Sequence, residues 1–367
     1  MEGKRKTSVL YLAMYDAKMA PGVHKKVTGF IEGVNDLGYS GKVKNIRPEG
    51  FGSYLKFVLA LWSARPSAVV VRYLSRLGLA FFMAGIILRM RGSKLYIDIP
   101  TPIINLRREI LSKNNRSATD WLDILMISLL GSIPFLTAER IIQYSSEGKY
   151  FSIGVKNRTL KIGNGINVSK VPQRVHTPKW PGNTLNLIAV GTVAYWHGLD
   201  RMIKAIKILN ENTETGYSVN MNIVGEGPGK ADLELFVNES SMGDSINFSG
   251  MLYGDDLFEQ YRDIHFGVGS LGWFRSGVEE ASPLKNREYL AAGIPVISAT
   301  KDPDFIGESK YYRLVSNDES IESIVKLLKQ IGNCSIPTSK ECRDYATTNL
   351  DFRVKIDRIL QFNKNLN

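Results

Sequence analysis

The sequence of 367 residues has little of what disulfide frameworks and metal centres require. It contains only two cysteines, Cys334 and Cys342, and its four histidines are scattered along the chain. Two cysteines are too few for a disulfide framework or a cysteine-ligated zinc site, and the histidines share no metal-ligand spacing. We therefore predict no metal site, and the cysteine usage is typical of a reducing, cytoplasmic protein.

Long hydrophobic runs are also missing. The two most apolar stretches, 77–88 and 124–136, fall short of the roughly 20 residues that cross a bilayer. We predict that both form buried helices. The composition of 44 % hydrophobic and 23 % charged residues, without repeats or low-complexity segments, is typical of a globular chain of two domains.

Acidic residues are outnumbered, because 47 Lys and Arg face 36 Asp and Glu and give a net charge of +11. This excess predicts an anionic partner such as nucleic acid, an anionic membrane or a phosphorylated substrate. The chain has neither zinc-finger spacing nor a basic repeat interleaved with aromatics, so we expect no nucleic acid partner. An anionic membrane surface is a candidate partner of the first half, and a merely solvated basic face is an equally good interpretation. The basic residues concerned are Arg72, Arg76, Arg89, Arg91, Lys94, Arg107, Arg108, Lys113 and Arg116.

Short apolar runs alternate with helical patterns in both halves of the chain. This alternation predicts parallel strands joined by crossover helices. It begins with a strand at 9–14 and restarts with a strand at 185–190, after a proline-rich segment at 171–184 that is typical of a linker. We predict two doubly wound α/β domains, at 1–170 and 185–345, and a C-terminal helix within 346–367.

The most informative segment is EASPLKNRE at 280–288. Ser282 is a good N-cap, Pro283 suits the first helical position and Gly293 supplies the stop, which predicts a helix of about ten residues. Lys285 then lies in the first turn, where the helix dipole disfavours a cation. Because a helix N-terminus offers unpaired N–H groups, this lysine predicts a bound anion such as a diphosphate.

Two carboxylates, Glu280 and Glu288, flank the predicted helix start. Carboxylates are suited to the hydroxyl groups of a sugar and a ribose, so the segment is typical of a nucleotide-sugar site. The alternative is that Glu280 is a turn residue and that Glu288 is a solvated helix residue paired with Lys285 or Arg287. The spacing alone leaves both interpretations open.

The segment from Glu280 to Ser298 resembles the E-x7-E signature of retaining glycosyltransferases with the GT-B fold, the family called group 1 or family 4. Three more segments, 187–201, 223–228 and 246–252, resemble motifs of this family in the same order. The resemblance implies an α/β GT-B fold in which two Rossmann-like doubly wound domains face each other across a cleft. It also implies that the C-terminal helix returns to the first domain.

The resemblance assigns the nucleotide-sugar donor to the second domain. Glu280 would be the catalytic residue that holds the donor sugar, Glu288 would bind the ribose, and the backbone of 250–252 would contact the base. The donor-binding residues that it implies, besides Glu288, are Gly22, Gly191, Thr192, His197, Arg201, Gly250, Met251, Leu252, Ser282, Pro283, Leu284 and Lys285.

Two of these positions depart from the family. Thr192 and His197 stand where the family has a phosphate-binding arginine and lysine, so two fixed charges are missing. His197 can still donate a hydrogen bond or become protonated beside a diphosphate, and Lys285 and Arg201 are the candidates to supply charge. Alternatively, His197 is a loop histidine packed by Trp196.

The first domain would lie on the acceptor side. Its segment 20–26, with Gly22, occupies the place of the family's glycine-rich loop, and an ordinary strand-to-helix turn is the alternative. The stretch 96–102 is similar to a strand end of some polysaccharide glycosyltransferases, which makes Asp98 and Thr101 acceptor-side candidates. Asp302-Pro-Asp304 spells a metal-binding D-x-D motif, but we predict an ordinary turn.

The resemblance therefore implies a retaining glycosyltransferase that needs neither metal nor cofactor. We expect it to move a sugar from a nucleoside diphosphate to a glycan acceptor, lipid-linked, in bacterial surface polysaccharide synthesis at the inner face of the membrane. One alternative, indicated by Thr192 and His197, is a catalytically inactive GT-B protein that binds a glycan or an anion. A nicotinamide-dependent oxidoreductase is the other, and it lacks the expected first-strand G-x-G-x-x-G motif.

Overall fold

The computed structural model describes residues 7–112, 115–146, 153–212, 216–305 and 310–361, so Lys113 of the basic group lies outside the described residues. The chain divides into two compact units. Unit 1 comprises 1–167 and 351–367, and unit 2 comprises 168–350. The first change of unit thus falls immediately before the proline-rich segment that the sequence marks as a linker.

Unit 1 contains a six-stranded parallel sheet in the order β2-β1-β3-β4-β5-β6. Its strands are β1 (Ser8–Met14), β2 (Ser40–Ile46), β3 (Ala68–Arg72), β4 (Lys94–Ile99), β5 (Arg140–Gln143) and β6 (Thr159–Lys161). Its helices in this part of the chain are α1 (Pro21–Asp36), α2 (Phe51–Trp62), α3 (Gly78–Met90), α4 (Ile103–Ser112) and α5 (Ala118–Leu130).

Alternate residues of β1 to β5 point to opposite faces of this sheet, and both faces carry a hydrophobic core. On one face, Leu12 and Val69 pack with residues of α2, α3, α4 and α5. On the other face, Tyr11 and Val70 pack with α1. Coverage on both faces is what parallel strands joined by crossover helices require.

Unit 2 contains a second six-stranded parallel sheet, in the order β12-β11-β10-β7-β8-β9. Its strands are β7 (Thr184–Val190), β8 (Ser218–Val224), β9 (Ile246–Gly250), β10 (Phe266–Val268), β11 (Val296–Ser298) and β12 (Tyr312–Leu314). Its helices are α6 (Leu199–Glu211), α7 (Lys230–Glu239), α8 (Gly254–Glu259), α9 (Leu284–Ala292), α10 (Glu322–Ile331) and α11 (Ser339–Tyr345).

The strand order of unit 2 is that of a Rossmann fold. The chain builds outward from β7 to β9 and then reverses from β10 to β12. The direction changes between the neighbouring strands β7 and β10, and crevices at such switch points are where open α/β sheets bind ligands. We therefore expect a ligand-binding site at the loops that follow β7 and β10.

The last described helix, α12 (Phe352–Gln361), belongs to unit 1. The amide of Phe352 donates to Ile166 O at 2.9 Å, and the Phe352 ring packs edge-on against Phe30 of α1. A Cβ at Gly29 or Gly165 would lie within 2.5 Å of that ring, so both glycines permit the close packing. The C-terminal helix is thus fixed to α1 and to the chain that follows β6.

The prediction of buried helices within 77–88 and 124–136 is wrong for one face of each helix. α3 buries Phe81 and Leu88 and α5 buries Ile127, but both helices also expose large apolar side chains. In each of these helices, one side packs on the sheet and the opposite side exposes apolar side chains. None of the described helices is both long and apolar enough to cross a membrane.

Candidate functional site

The loops that follow β7, β8 and β9 are joined through their backbones. Gly191 N–H donates to Val224 O at 2.9 Å, and Gly225 N–H donates to Gly250 O at 2.7 Å. Val193 N–H donates to Glu226 O at 3.0 Å. The three segments that the sequence selected as motifs therefore lie together at the carboxyl end of the unit 2 sheet.

Two glycines permit this close approach. Gly225 and Gly227 have φ of +142° and +157°. A Cβ at Gly225 would lie 1.9 Å from Gly191 O, and a Cβ at Gly227 would lie 2.3 Å from Val193 O. Any other residue would separate the two loops, so the pattern of glycines after β8 serves loop packing.

The loops after β7 and β10 also meet, at the switch point of the sheet. Leu271 N–H donates to His197 O at 2.8 Å. Gly198 has φ of +65°, and a Cβ there would lie 2.4 Å from Gly272 N. This contact places Thr192 and His197 beside the chain that leads to α9.

Arg275 fixes this arrangement and was not predicted from the sequence. Its guanidinium donates to both carboxylate oxygens of Asp200 at 2.8 Å and to both of Glu319 at 2.9 and 3.0 Å. It also lies 4.2 Å from the centre of the Tyr195 ring. No periodic pattern marks Arg275, because its partners come from segments 44 and 75 residues away.

The helix of the E-x7-E segment, α9, begins one residue later than predicted. Its N-cap is Pro283, in extended conformation, and no side chain caps it with a hydrogen bond. Ser282 is therefore not the N-cap, because a proline in extended conformation already occupies the position before the first helical residue, Leu284. The end is as predicted, with Gly293 in the left-handed conformation at φ of +93°.

Lys285 and His197 share the surroundings of this helix start. Burial lowers the pKa of Lys285 to about 8. Burial first, and then the nearby charge of Lys285, lower the pKa of His197 to about 4. At neutral pH His197 is thus uncharged, so it does not replace the missing positive charge in the ligand-free protein.

In α9 and in the loops after β7 and β10, several buried polar atoms have no hydrogen-bond partner within the described residues. They are Nδ1 of His197, Oγ of Ser270, Nε1 of Trp273 and both side-chain amide atoms of Asn286. Buried polar groups are normally satisfied, so a cluster of unsatisfied ones is typical of a binding site. Ser270 and Trp273 lie outside the sequence motifs, and Asn286 is an unassigned position within the E-x7-E segment. Their buried, unsatisfied atoms identify all three.

The two glutamates are placed by different elements. Glu280 forms an isolated bridge with Lys301, and Ala281 N–H donates to Lys301 O at 2.9 Å. This pairing fixes the backbone of Glu280 beside the end of β11. Glu288 lies in the second turn of α9, and both side chains are half-buried.

Arg201 does not supply charge to this site. Its side chain is 1 % exposed, and its guanidinium donates to the carbonyl oxygens of Leu271, Ser316 and Ser320. It supports the segments after β10 and β12 from inside. The structure contradicts the predicted donor-binding role of Arg201, because its guanidinium is buried and donates to three carbonyl oxygens.

Asp302 and Asp304 form a buried ion pair with Arg287 of α9. The Arg287 guanidinium donates to Asp302 Oδ1 at 2.7 Å and to Asp304 Oδ2 at 2.7 Å. The D-x-D sequence therefore anchors α9, in keeping with the predicted turn. Within the described residues, no group of three or more His, Cys, Asp or Glu side chains is arranged to hold a metal ion.

In unit 1, the predicted acceptor-side residue Asp98 is buried in an ionic network. Lys26 Nζ donates to both of its carboxylate oxygens at 3.0 and 3.1 Å, and the Tyr11 hydroxyl also donates to it. Burial would raise the pKa of Asp98, but the charges of Lys26 and Arg72 outweigh burial and hold it below its usual range. Asp98 is thus not open to a ligand.

The other candidates in unit 1 remain accessible. Thr101 is exposed just beyond β4, and Gly22 is exposed at the second residue of α1. A Cβ at Gly22 would meet no atom within 4 Å, so the fold of unit 1 does not require glycine there.

Residues 176–349 match the family model of the group 1 glycosyl transferases. The match spans nearly all of unit 2. No curated protein sequence matches the chain.

Solved structures with the same fold align over almost the whole chain. A lipopolysaccharide outer core galactosyltransferase, WaaB, in its apo form has a TM-score of 0.66 at 10 % identity, over 97 % of this chain and 99 % of its own. A sucrose-phosphate synthase from Thermosynechococcus elongatus has a TM-score of 0.65 at 14 % identity, over 98 % and 99 %. The pneumococcal O-GlcNAc transferase GtfA, in complex with UDP and GlcNAc, has a TM-score of 0.54 at 12 % identity, over 85 % and 58 %. The GT-B fold that the resemblance implied is confirmed, and the family match supports the group 1 type for residues 176–349.

Proposed function

We propose, from the premise that unit 2 is a group 1 glycosyl transferase domain, that this protein transfers a sugar from a nucleoside diphosphate to a glycan acceptor. The observation that supports this most directly is the start of α9. Its first turn carries a half-buried lysine, and its N-terminus lies in the unit where the loops after β7, β8 and β9 are held together. The donor is a substrate, and we propose that no cofactor takes part.

The reaction requires stabilisation of a leaving group that gains negative charge. As the bond between the anomeric carbon and the diphosphate lengthens, charge accumulates on the phosphate oxygens. The unpaired N–H groups at the start of α9 and the Lys285 ammonium are fixed before the reaction and stabilise that charge as it develops. We propose that they take the part that a divalent cation has in metal-dependent transferases.

The two carboxylates have separate roles in this proposal. Glu280, held by its backbone pairing with Lys301, binds the hydroxyls of the donor sugar, and Glu288 binds the ribose. The backbone at Gly250 to Leu252 contacts the base. We propose transfer with retention of configuration and assign no residue as the nucleophile.

The acceptor is proposed from less direct support. The likeness in fold to a lipopolysaccharide galactosyltransferase and the basic first half both favour a lipid-linked glycan at the inner face of a bacterial membrane. Surface polysaccharide synthesis would be the corresponding process. On the acceptor side, Thr101 is accessible and is proposed to contact the glycan, whereas Asp98 is held in its buried pair with Lys26.

One observation favours a second candidate function. Thr192 is uncharged, His197 is neutral and Arg201 faces the interior, so the site has fewer cations than the family pattern. A GT-B protein that binds a glycan or an anion without transferring a sugar would tolerate this loss. Transfer assays separate this candidate from the enzyme.

Calorimetric titration with UDP, GDP, ADP, dTDP and NAD, each with and without EDTA, tests the proposal. We expect micromolar binding of one nucleoside diphosphate that persists in EDTA, followed by release of that diphosphate when the matching sugar donor and a glycan acceptor are supplied. Binding without release would favour the inactive binder. Binding to NAD alone would contradict both candidates.

A further inference from the structure

Three helices on one side of the unit 1 sheet expose rows of large apolar side chains. On α2 the row is Phe51, Leu55 and Leu59, four residues apart, so these side chains share one face of the helix. The corresponding exposed residues are Leu79, Met83, Ile86 and Met90 on α3, and Trp121, Leu122, Leu125 and Leu129 on α5. We call these eleven residues the α2–α3–α5 face.

The core of unit 1 does not account for this face. The same helices bury other apolar residues against the sheet, such as Phe57 of α2 and Phe81 of α3. A helix that is apolar on both sides is normally covered on both sides, and large exposed apolar patches mark interaction surfaces. Phe51 is 87 % exposed, Met90 83 % and Leu129 67 %, so these side chains stand clear of their neighbours.

The three rows are adjacent. The Phe57 and Phe81 rings pack at 6.3 Å between centres, and Trp62 Nε1 donates to Ala80 O at 3.2 Å, so α2 lies against α3. At the other side of α3, a Cβ at Gly78 would lie 2.9 Å from Leu130 of α5. The rows therefore belong to one layer of helices.

The charge of the segment that contains α2 and α3 is of one sign. From Gly50 to Ile97 the sequence contains seven Lys and Arg and no Asp or Glu. The exposed ones include Lys56 of α2, Arg65 between α2 and β3, and Arg89 of α3. The guanidinium of Arg116, just before α5, lies 5.4 Å from the centre of the exposed Trp121 ring. Aromatic and basic side chains around an apolar face are typical of a membrane interface.

We propose that the α2–α3–α5 face docks unit 1 on an anionic bilayer surface. The apolar rows enter the boundary between headgroups and acyl chains, and the surrounding cations contact anionic headgroups. A lipid surface suits this face because it accepts flexible apolar side chains and cations together. This face belongs to unit 1 and contains none of the proposed donor-binding residues, and docking there does not depend on sugar transfer.

Cosedimentation of the full chain with vesicles tests the proposal. One set of vesicles contains phosphatidylcholine alone, and the other contains phosphatidylcholine mixed with phosphatidylglycerol. The apolar variant is Leu55→Gln, Leu125→Gln and Leu129→Gln together. Its matched control replaces exposed apolar residues of unit 2, as Ile208→Gln, Leu235→Gln and Leu314→Gln. Circular dichroism and thermal unfolding confirm that each variant is folded.

We expect the unaltered protein to bind the phosphatidylglycerol vesicles, more weakly as salt rises. The apolar variant should lose binding by on the order of tenfold or more, and the unit 2 control should bind like the unaltered protein. A charge variant, Lys56→Ser, Arg65→Ser and Arg89→Ser, should lose about 100-fold, because each cation near an anionic surface contributes about 1 kcal/mol. Its control is Lys204→Ser, Lys326→Ser and Lys329→Ser.

Three results would overturn the proposal. The unaltered protein could fail to bind the anionic vesicles even at low salt. The apolar variant and its control could bind equally well. Light scattering could show that the apolar variant changes the oligomeric mass while vesicle binding stays the same, and the face would then pair with a second copy of the chain.

Discussion

The two units offer different groups to a ligand at the ends of their strands, although both are built on six parallel strands. In unit 2, the first turn of α9 carries the half-buried Lys285, and the loops after β7 and β10 carry unsatisfied polar atoms. In unit 1, the charged groups at the end of β4 neutralise one another, because Asp98 pairs with Lys26. Unit 1 instead exposes apolar side chains on the outer side of α2, α3 and α5.

This difference teaches that the topology of a sheet does not assign its function. Doubly wound sheets offer a crevice at their switch point, but the side chains around it decide whether a charged ligand finds partners there. Unit 2 has unsatisfied polar atoms in the loops after β7 and β10, whereas the charged groups at the end of β4 in unit 1 pair with one another.

The contrast is tested most directly at Glu280. Glu280→Ala should lower sugar transfer by about 100- to 1,000-fold, the range seen when a fixed polar group at a reacting centre is removed. The measurement is the rate of nucleoside diphosphate release with the donor found by calorimetry. Glu279→Ala is the control, because it removes the neighbouring exposed carboxylate. Equal rates for both variants would show that Glu280 has no special role.

In unit 1, the prediction concerns stability. Lys26→Met should lower the free energy of unfolding by about 3 kcal/mol, because it leaves Asp98 as a buried charge with Arg72 as its remaining cation. Adding Asp98→Asn should restore part of the loss. Denaturant unfolding measures both. If Lys26→Met left stability unchanged but abolished binding of an acceptor, the network would be an open ligand site and the contrast between the units would fail.

At the start of α9, Lys285→Met should weaken binding of the nucleoside diphosphate by roughly 10- to 100-fold, as expected for the loss of a hydrogen bond to a charged group. Calorimetry gives the dissociation constant. Lys326→Met removes an exposed lysine elsewhere in unit 2 and should have no effect. Unchanged affinity in Lys285→Met would mean that the backbone N–H groups bind the diphosphate without it.

The smallest effect concerns pH. A bound diphosphate stabilises the Lys285 ammonium and raises its pKa above the value of about 8 in the free protein. Binding therefore takes up a proton above that pH, so affinity should fall several-fold between about pH 7 and pH 9. His197 stays neutral over this range because its pKa is about 4. Lys285→Arg should flatten the profile, since arginine keeps its charge. A profile that Lys285→Arg leaves unaltered would assign the pH dependence to another group.

The sequence predicted much of the fold because its local signals agree with its tertiary structure. The strands predicted at 9–14 and 185–190 are found as β1 (Ser8–Met14) and β7 (Thr184–Val190), each one residue longer at its start. The helix α4 was not predicted. Its first residues follow Pro102 directly, and a stretch that resembles a strand-end motif gave no separate helix signal.

The candidate site was predicted in outline and misjudged in detail. Lys285 was identified from its place in the first turn of the predicted helix, because the chemistry of helix ends is local. The segments 187–201 and 223–228 were identified from their resemblance to family motifs. Ser282 and Arg201 were assigned roles that the structure does not support. Arg275 and Asn286 were not predicted at all, because their significance depends on partners, or on the lack of partners, far away in sequence.

The sequence alone predicted the alternation of strands and helices in each half of the chain, the end of α9 at Gly293 and the excess of positive charge. These features follow from backbone preferences and composition, which each residue carries with it. Which charged side chains are exposed and which are buried and paired depends on the tertiary structure. Asp98 and Arg201 are turned inward by partners from distant segments, whereas the apolar rows of α2, α3 and α5 remain exposed. Burial and pairing depend on which segments the fold brings together, and no local signal contains that information.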